Sequence, residues 1–495
     1  MMKRVIPWAI CAVFVSYVAA SALGWRAPTS RDGYDLASFG RLPVAIGGRV
    51  RPIDSAARMG LLQVRGSLDV PLGPSEGRWA VGAARLGATE WLLELLVKPD
   101  VADTRRVFPI GDATLLSKLQ LKPSADAGGY VTFKELAPRN ADISRESDRV
   151  SKILPGKRAP WEQELVALRL RLASYERLKN SLQANSVLQG EAKGAPIEYD
   201  LAQLLTAYRA NVAETARVAL QRKRGSPEAS LDPKKAADMM LFVRPFSAVA
   251  RLGVIAMIPP QRPGDSRDGW KNMGAVIVDS SRTARLPAPV THVAAITSAF
   301  AHGNPATFNR LVDFYGRWLG ANGLAPTVRK VRYESFYNRL QPYPKAVALY
   351  LVALLFVCAS LAFRSTTLYR SGLLVGALAI AMHSTALLFD MALTGRLPVY
   401  SPLALVALGS WAFAVGAFLF ERSSGRGRAL AIGTATALLA LVGAHAMAPA
   451  GIALLMAEIV NVPFAAAVVV VALLVLPMAR ERAMDAPPAA EPLPA

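Results

Sequence analysis

Four histidines and one cluster of arginines are the residues of this chain best suited to chemistry. His292 and His302 lie in a polar region, His383 near the middle of an apolar run and His445 at the end of another. An ionisable side chain at membrane depth is costly unless it is partnered or functional. A neutral imidazole can ligate a metal through its lone pair or tie neighbouring helices by hydrogen bonds. Both readings stand for His383. His445 is either a ligand or a group resting in the wet interface. Asp390 lies two helical turns beyond His383, too far to orient it, and its expected partner is Arg396 or a helix end. Glu458 is a further acidic residue at membrane depth, with an arginine or the interface as its expected setting.

The densest charged group is Arg49, Arg51, Asp54 and Arg58. Asp54-Ser-Ala-Ala can open a helix with Asp54 as N-cap, which puts Arg58 one turn on, within reach of Asp54. The cluster is either an ion-pair latch fixing the polar region on the apolar one, or a site at which arginine recognises a ligand carboxylate. The sequence has no P-loop, G-x-G-x-x-G motif, nucleophile–base pair or metal triad. Its two cysteines, Cys11 and Cys358, both fall in apolar runs, so the polar region has no thiol chemistry.

The elements that position these residues are of two kinds. An apolar run from Val5 to about Leu23 follows Lys3 and Arg4 and is long enough to span a bilayer; we read it as an uncleaved anchor. Further spans are expected at Ala346–Phe363, Ser371–Thr394, Leu403–Phe420 and Ala429–Ala446. A last one, after a short interfacial helix broken near Pro463, ends near Pro477. Arg364 and Arg370, then Arg422, Arg426 and Arg428, then Arg480 and Arg482 mark breaks on one side, and only Arg396 marks the other. The positive-inside rule places the N-terminus in the cytoplasm and the polar region outside, on the periplasmic face of a bacterial inner membrane.

The expected architecture is therefore mostly α: a polytopic bundle of about six spans with a large, mainly helical periplasmic insert between the first and second. The domains are residues 1–24 as anchor, 25–343 as periplasmic domain, 344–479 as five-span bundle and 480–495 as a disordered cytoplasmic tail. In the insert, leucines and Tyr175 recur at helical spacing over Arg158–Asn185, and Tyr199–Leu220, Ala88–Val97 and Phe308–Leu319 also read as helices. Ser226–Lys235 and Pro259–Asp268 read as loops and Val254–Ile258 as a strand. A net charge of +21 raises the question of nucleic acid, but the charge is dispersed along a lipid-embedded chain. Anionic headgroups are its expected partner.

Leu42-Pro-Val-Ala-Ile-Gly-Gly-Arg-Val-Arg-Pro-Ile-Asp-Ser-Ala-Ala-Arg58 resembles the P-V-x-x-x-G-R-V-K-P-L-D-T-x-A-R segment of one family, the long cytochrome c assembly proteins of the CcsA/ResC type. Glu90-Trp-Leu-Leu with Pro99 and Val107-Phe-Pro-Ile, then Phe133-Lys-Glu-Leu and Ile258-Pro with Trp270, are similar to later landmarks. Ala299–Asn309 and Tyr333–Pro342 resemble the segments before the membrane domain, in the family's order. Gly395-Arg396-Leu-Pro398-Val-Tyr-Ser-Pro is similar to its outer loop G-R-x-P-V-T-N-x-Y-E, without the Asn and the acid. The family's Trp-rich segment, W-G-x-W-W-x-W-D, has no counterpart after Trp411.

The resemblance implies a subunit of a cytochrome c maturation assembly. It would act as scaffold or partial haem path to apocytochrome c, not catalytic alone, beside a second membrane chain that carries the Trp-rich segment and a ResB-like partner. His383 and His445 are then the candidate haem ligands, since imidazole is the usual nitrogen ligand of haem iron, and Arg49, Arg51, Asp54 and Arg58 are a propionate site or a latch. The alternative is a non-catalytic inner-membrane assembly protein that binds no haem.

Overall fold

The computed structural model describes residues 2–23, 32–72, 85–121, 129–182, 201–202, 205–206, 208–209, 214, 217–218, 220–221, 224, 233–260, 269–283, 285–425, 427–447, 464 and 467–471. The longer helices, in chain order, are α1 (Met2–Leu23), α2 (Ile53–Arg65), α3 (Ala88–Val97), α4 (Asn140–Ser151), α5 (Pro160–Lys179), α6 (Pro233–Leu252), α7 (Met273–Thr283), α8 (Ala288–Ala301), α9 (Pro305–Leu319), α10 (Ala325–Leu340), α11 (Pro342–Phe363), α12 (Thr366–Thr394), α13 (Pro402–Ser424) and α14 (Arg428–Met447). Six short strands, β1 (Pro43–Ile46), β2 (Arg49–Pro52), β3 (Asp69–Pro71), β4 (Arg85–Gly87), β5 (Arg106–Pro109) and β6 (Tyr130–Thr132), pair as three antiparallel two-stranded sheets. The chain divides into two compact units, Met1–Arg26 with Phe336–Ala495, and Ala27–Ser335.

The first unit is a helical bundle. Val5–Leu23, the stretch that ends in α11, α12, α13 and α14 provide five helices long and apolar enough to cross a membrane. Two of the helix starts have a clear physical cause. Ser365 and Ser401 accept from the backbone N–H of Leu368 and Ala404, and Pro402 occupies the first turn of α13, where its missing N–H costs nothing. Small residues set the close crossings: a Cβ on Gly433 would stand 2.5 Å from that of Ala417. Arg370 and Arg422, expected in polar breaks, lie within α12 and α13. Long arginine stems let a helix continue into the interface while the charge stays wet. The sixth expected span falls outside the described residues except for Phe464 and 467–471, which are helical, and so do Glu458 and Pro463.

The second unit is built around α5 and α3. Leu165, Leu168, Leu172 and Tyr175 of α5 are all buried, each contributing about 1.5–3 kcal/mol of apolar transfer. Pro160 starts this helix, and Glu162 accepts from the Ala159 N–H. α3 has the bounds its sequence pattern predicts, with Trp91, Leu92, Leu93 and Leu95 fully buried. The helical pattern over Tyr199–Leu220 lies partly outside the described residues; Tyr208 within it bonds the Ile277 carbonyl at 3.2 Å.

Three expectations change. Pro233 begins α6, so 233–235 are helical rather than loop, because proline is preformed for a first helical position. Val254–Ile258 makes only isolated bridges, Ala45 to Ala256 and Ile258 to Lys271. Asp54 is not an N-cap. Pro52 at φ −66°, ψ 150° holds that position, and Asp54 sits in the first turn of α2, where its charge also favours the helix.

One buried ion pair cross-links this unit. Lys179, 1% exposed, donates to Asp103 Oδ2 at 2.6 Å, Tyr175 donates to Oδ1 at 2.9 Å, and the ammonium lies 4.9 Å from the Phe133 ring centroid. Burial pushes Asp103 up from the usual carboxylate value, with Lys179 only partly opposing. Lys179→Met leaves a buried unpaired carboxylate and is expected to destabilise the chain by about 3–5 kcal/mol, whereas Lys179→Met with Asp103→Leu recovers most of that loss. Chemical denaturation of the full chain in detergent measures both; equal losses for single and double variants would contradict the assignment.

Candidate functional site

The two histidines of the long apolar helices meet at one aromatic ring. Tyr343 and Tyr350 are two turns apart on α11 and so share a face. The Tyr343 ring stands edge-on to His383 of α12 at 5.8 Å between centroids and edge-on to His445 of α14 at 6.3 Å. Tyr350 is edge-on to His383 on the same side, at 6.0 Å.

The two imidazoles differ in their bonding. His445 Nδ1 lies 2.8 Å from the Leu441 carbonyl of its own helix. A carbonyl only accepts, so in the neutral ring Nδ1 carries the proton and Nε2 the lone pair. His383 is 0% exposed, with Nδ1 3.3 Å from the Tyr350 hydroxyl. The Ala407 carbonyl of α13 faces its ring, yet Nε2 lacks a hydrogen bond of good geometry. His383 thus touches three helices at once, and His445, half-buried, holds its lone pair on the nitrogen away from its own backbone.

The loop after α12 is organised by Gly395, whose φ of +70° caps that helix. Arg396 is exposed, and Pro398 is buried. Asp390 accepts the Tyr400 hydroxyl at 2.9 and 2.8 Å where the sequence suggested Arg396. A phenol ten residues on reaches the carboxylate within the unit, while Arg396 points to solvent.

Sequence reasoning missed Glu421. Fully buried at the end of α13, it accepts the backbone N–H groups of Gly427 at 2.5 Å, Ala429 at 3.1 Å and Leu430 at 3.3 Å, and the Tyr369 hydroxyl at 3.0 Å. It caps the first turn of α14 from the preceding helix. The available signal was an acid ahead of Ser-Ser-Gly and a following helix start. Lys345 and the Tyr343–Tyr350 spacing were missed too: the Lys345 ammonium lies 5.3 Å from the Tyr17 ring centroid of α1.

In the second unit, β1 and β2 form a hairpin whose turn, Gly47-Gly48, has φ of +59° and +72°, a left-handed pair that glycine adopts freely. Arg49 and Arg51 alternate with Val50 and share one strand face. Arg49 forms an ion pair with Glu334 of α10, and Ser55 donates to the same carboxylate at 2.8 Å. Arg58 pairs with Asp54 at 3.0 Å, and Thr89 donates to Asp54 at 3.2 Å. The contacts of Arg49 and Ser55 with Glu334 and of Thr89 with Asp54 therefore cross-link β2, α2, α3 and α10. His292 packs against Phe314, Tyr315 and Trp318 at 5.3–5.5 Å, where burial pushes its pKa down, and His302 caps α8. Among the described residues no group of three or more His, Cys, Asp or Glu is arranged to hold a metal ion.

No protein-family model matches the chain, and no curated protein matches it.

The His383–Tyr350 contact makes a direct prediction. Tyr350→Phe and His383→Leu are expected to be non-additive in thermal unfolding, with a coupling of about 0.6–1.7 kcal/mol typical of polar contacts between membrane helices. Strict additivity would mean the hydroxyl and the imidazole do not interact.

Proposed function

We propose that this chain is a membrane subunit of a cytochrome c maturation assembly, serving as scaffold and partial haem path to apocytochrome c. On this reading the bundle has six spans in a bacterial inner membrane, with the N-terminus in the cytoplasm and the second unit periplasmic. A second membrane chain supplies the Trp-rich segment, a ResB-like protein joins them, and ligation is not performed by this chain alone.

The observation that carries the reading is the convergence of His383 and His445 on Tyr343, two imidazoles at membrane depth held by three helices. The ordered motifs of the second unit and the Gly395–Pro398 loop support it. The donor set fits a haem in part. His445 offers an Nε2 lone pair, while His383, tied to Tyr350 and facing Ala407, positions the helices around it. A bound haem would supply an iron that accepts a nitrogen lone pair, and His445 is the residue placed to offer one. What this chain's residues do is hold His445 in one tautomer through the Leu441 carbonyl and pack Tyr343 and Tyr350 against the imidazoles.

A second reading is favoured by the full burial of His383: an assembly protein that binds no haem, in which both histidines only join helices. The absorption spectrum of the chain purified with its partner from haem-replete cells separates the two. The haem-path reading expects a Soret band, reduced about tenfold or more in His445→Ala and less in His383→Ala. A haem-free wild-type complex sinks it and leaves the second reading.

A further inference from the structure

The arginine cluster of the second unit separates into a closed half and an open half. Asp54 and Arg58 satisfy one another, with Thr89 as an added donor. Glu334, 5% exposed, has one oxygen on Arg49 and the other on Ser55. Among the described residues Arg51 makes no ion pair; its Nη1 rests against the sulfur of Met59. The Nε–H groups of Arg49 and Arg51 are both buried without a hydrogen-bond partner among the described residues. Two guanidinium groups on one strand face thus share one carboxylate, leaving one positive charge and two buried donors unmet. Burial first, and Arg49 second, push Arg51 below the usual arginine pKa, and Glu334 only partly opposes them.

We propose that Arg49 and Arg51, backed by Glu334, form a recognition site for a single carboxylate of an acidic ligand. A guanidinium presents its donors as a planar fork that matches a carboxylate. One negative charge balances the one left over. A phosphate dianion would overshoot it beside the buried Glu334. The site belongs wholly to the second unit and does not depend on the haem reading, so either can fail alone.

Butyrate and inorganic phosphate, titrated separately against the full-length chain in zwitterionic detergent at matched ionic strength, test the proposal through the thermal midpoint, which rises with occupancy of a native-state site. Butyrate should raise the wild-type midpoint more than phosphate does. Arg51→Gln should weaken the apparent affinity about tenfold or more, and Arg145→Gln, an exposed pair elsewhere, should leave it unchanged. If Arg51→Gln does not fold, Arg51→Lys keeps the charge without the fork and should weaken butyrate several-fold. Glu334→Gln should strengthen it. Equal responses in wild type and the Arg51 variant, or stronger stabilisation by phosphate, would overturn the proposal.

Discussion

The bundle is governed by the cost of a polar group that has no water to turn to. His383 answers it in part, with the Tyr350 hydroxyl at Nδ1, while its Nε2 faces the Ala407 carbonyl without a hydrogen bond of good geometry. Trp411 answers it by donating to Ser384 at 2.8 Å, and Glu421 by taking three backbone N–H groups and a phenol. Each solution joins two or more helices, so the polar groups fix which helices are neighbours, while glycine at crossings such as Gly433 fixes how close they come. The imidazole cluster is a product of the same constraint. Tyr343 serves both histidines because α11 packs against α12 and α14.

The second unit solves a milder version of the problem. Its apolar stripes bury readily, and its buried charges come in pairs, Lys179 with Asp103 and Arg49 with Glu334. Such pairs add little net stability, since desolvation offsets attraction, but losing one partner is severe. They act as registers: Asp103 fixes α5 against the turn after α3, and Glu334 fixes the hairpin against α10. Arg51 departs from that pattern and leaves the cluster one charge out of balance.

Legibility in the sequence followed the range of the interaction. Helices α3 and α5 were readable because their apolar periodicity is local and dense, and so were the apolar helices, whose composition alone marks them. Helix starts were less so: Asp54 has the composition of a cap, yet Pro52 two residues earlier already ends the strand. Least legible were partners distant in sequence. Nothing local pairs Arg49 with Glu334, 285 residues away, or brings Tyr343 between His383 and His445. The histidines were visible as candidates from their depth in apolar runs; their bonding, His445 to the Leu441 carbonyl and His383 to the Tyr350 hydroxyl, emerges only with those partners in place.

The central claim, that imidazoles at membrane depth offer a haem path while those of the second unit do not, is tested most directly by nuclear magnetic resonance. The chain has four histidines, so selective nitrogen-15 labelling gives four resolvable imidazoles. On addition of ferric haem to the chain in detergent, the account predicts paramagnetic broadening of His445 first and of His383 with it, while His292 and His302 keep their signals. Unchanged spectra for His383 and His445, or broadening confined to His292 or His302, would contradict it.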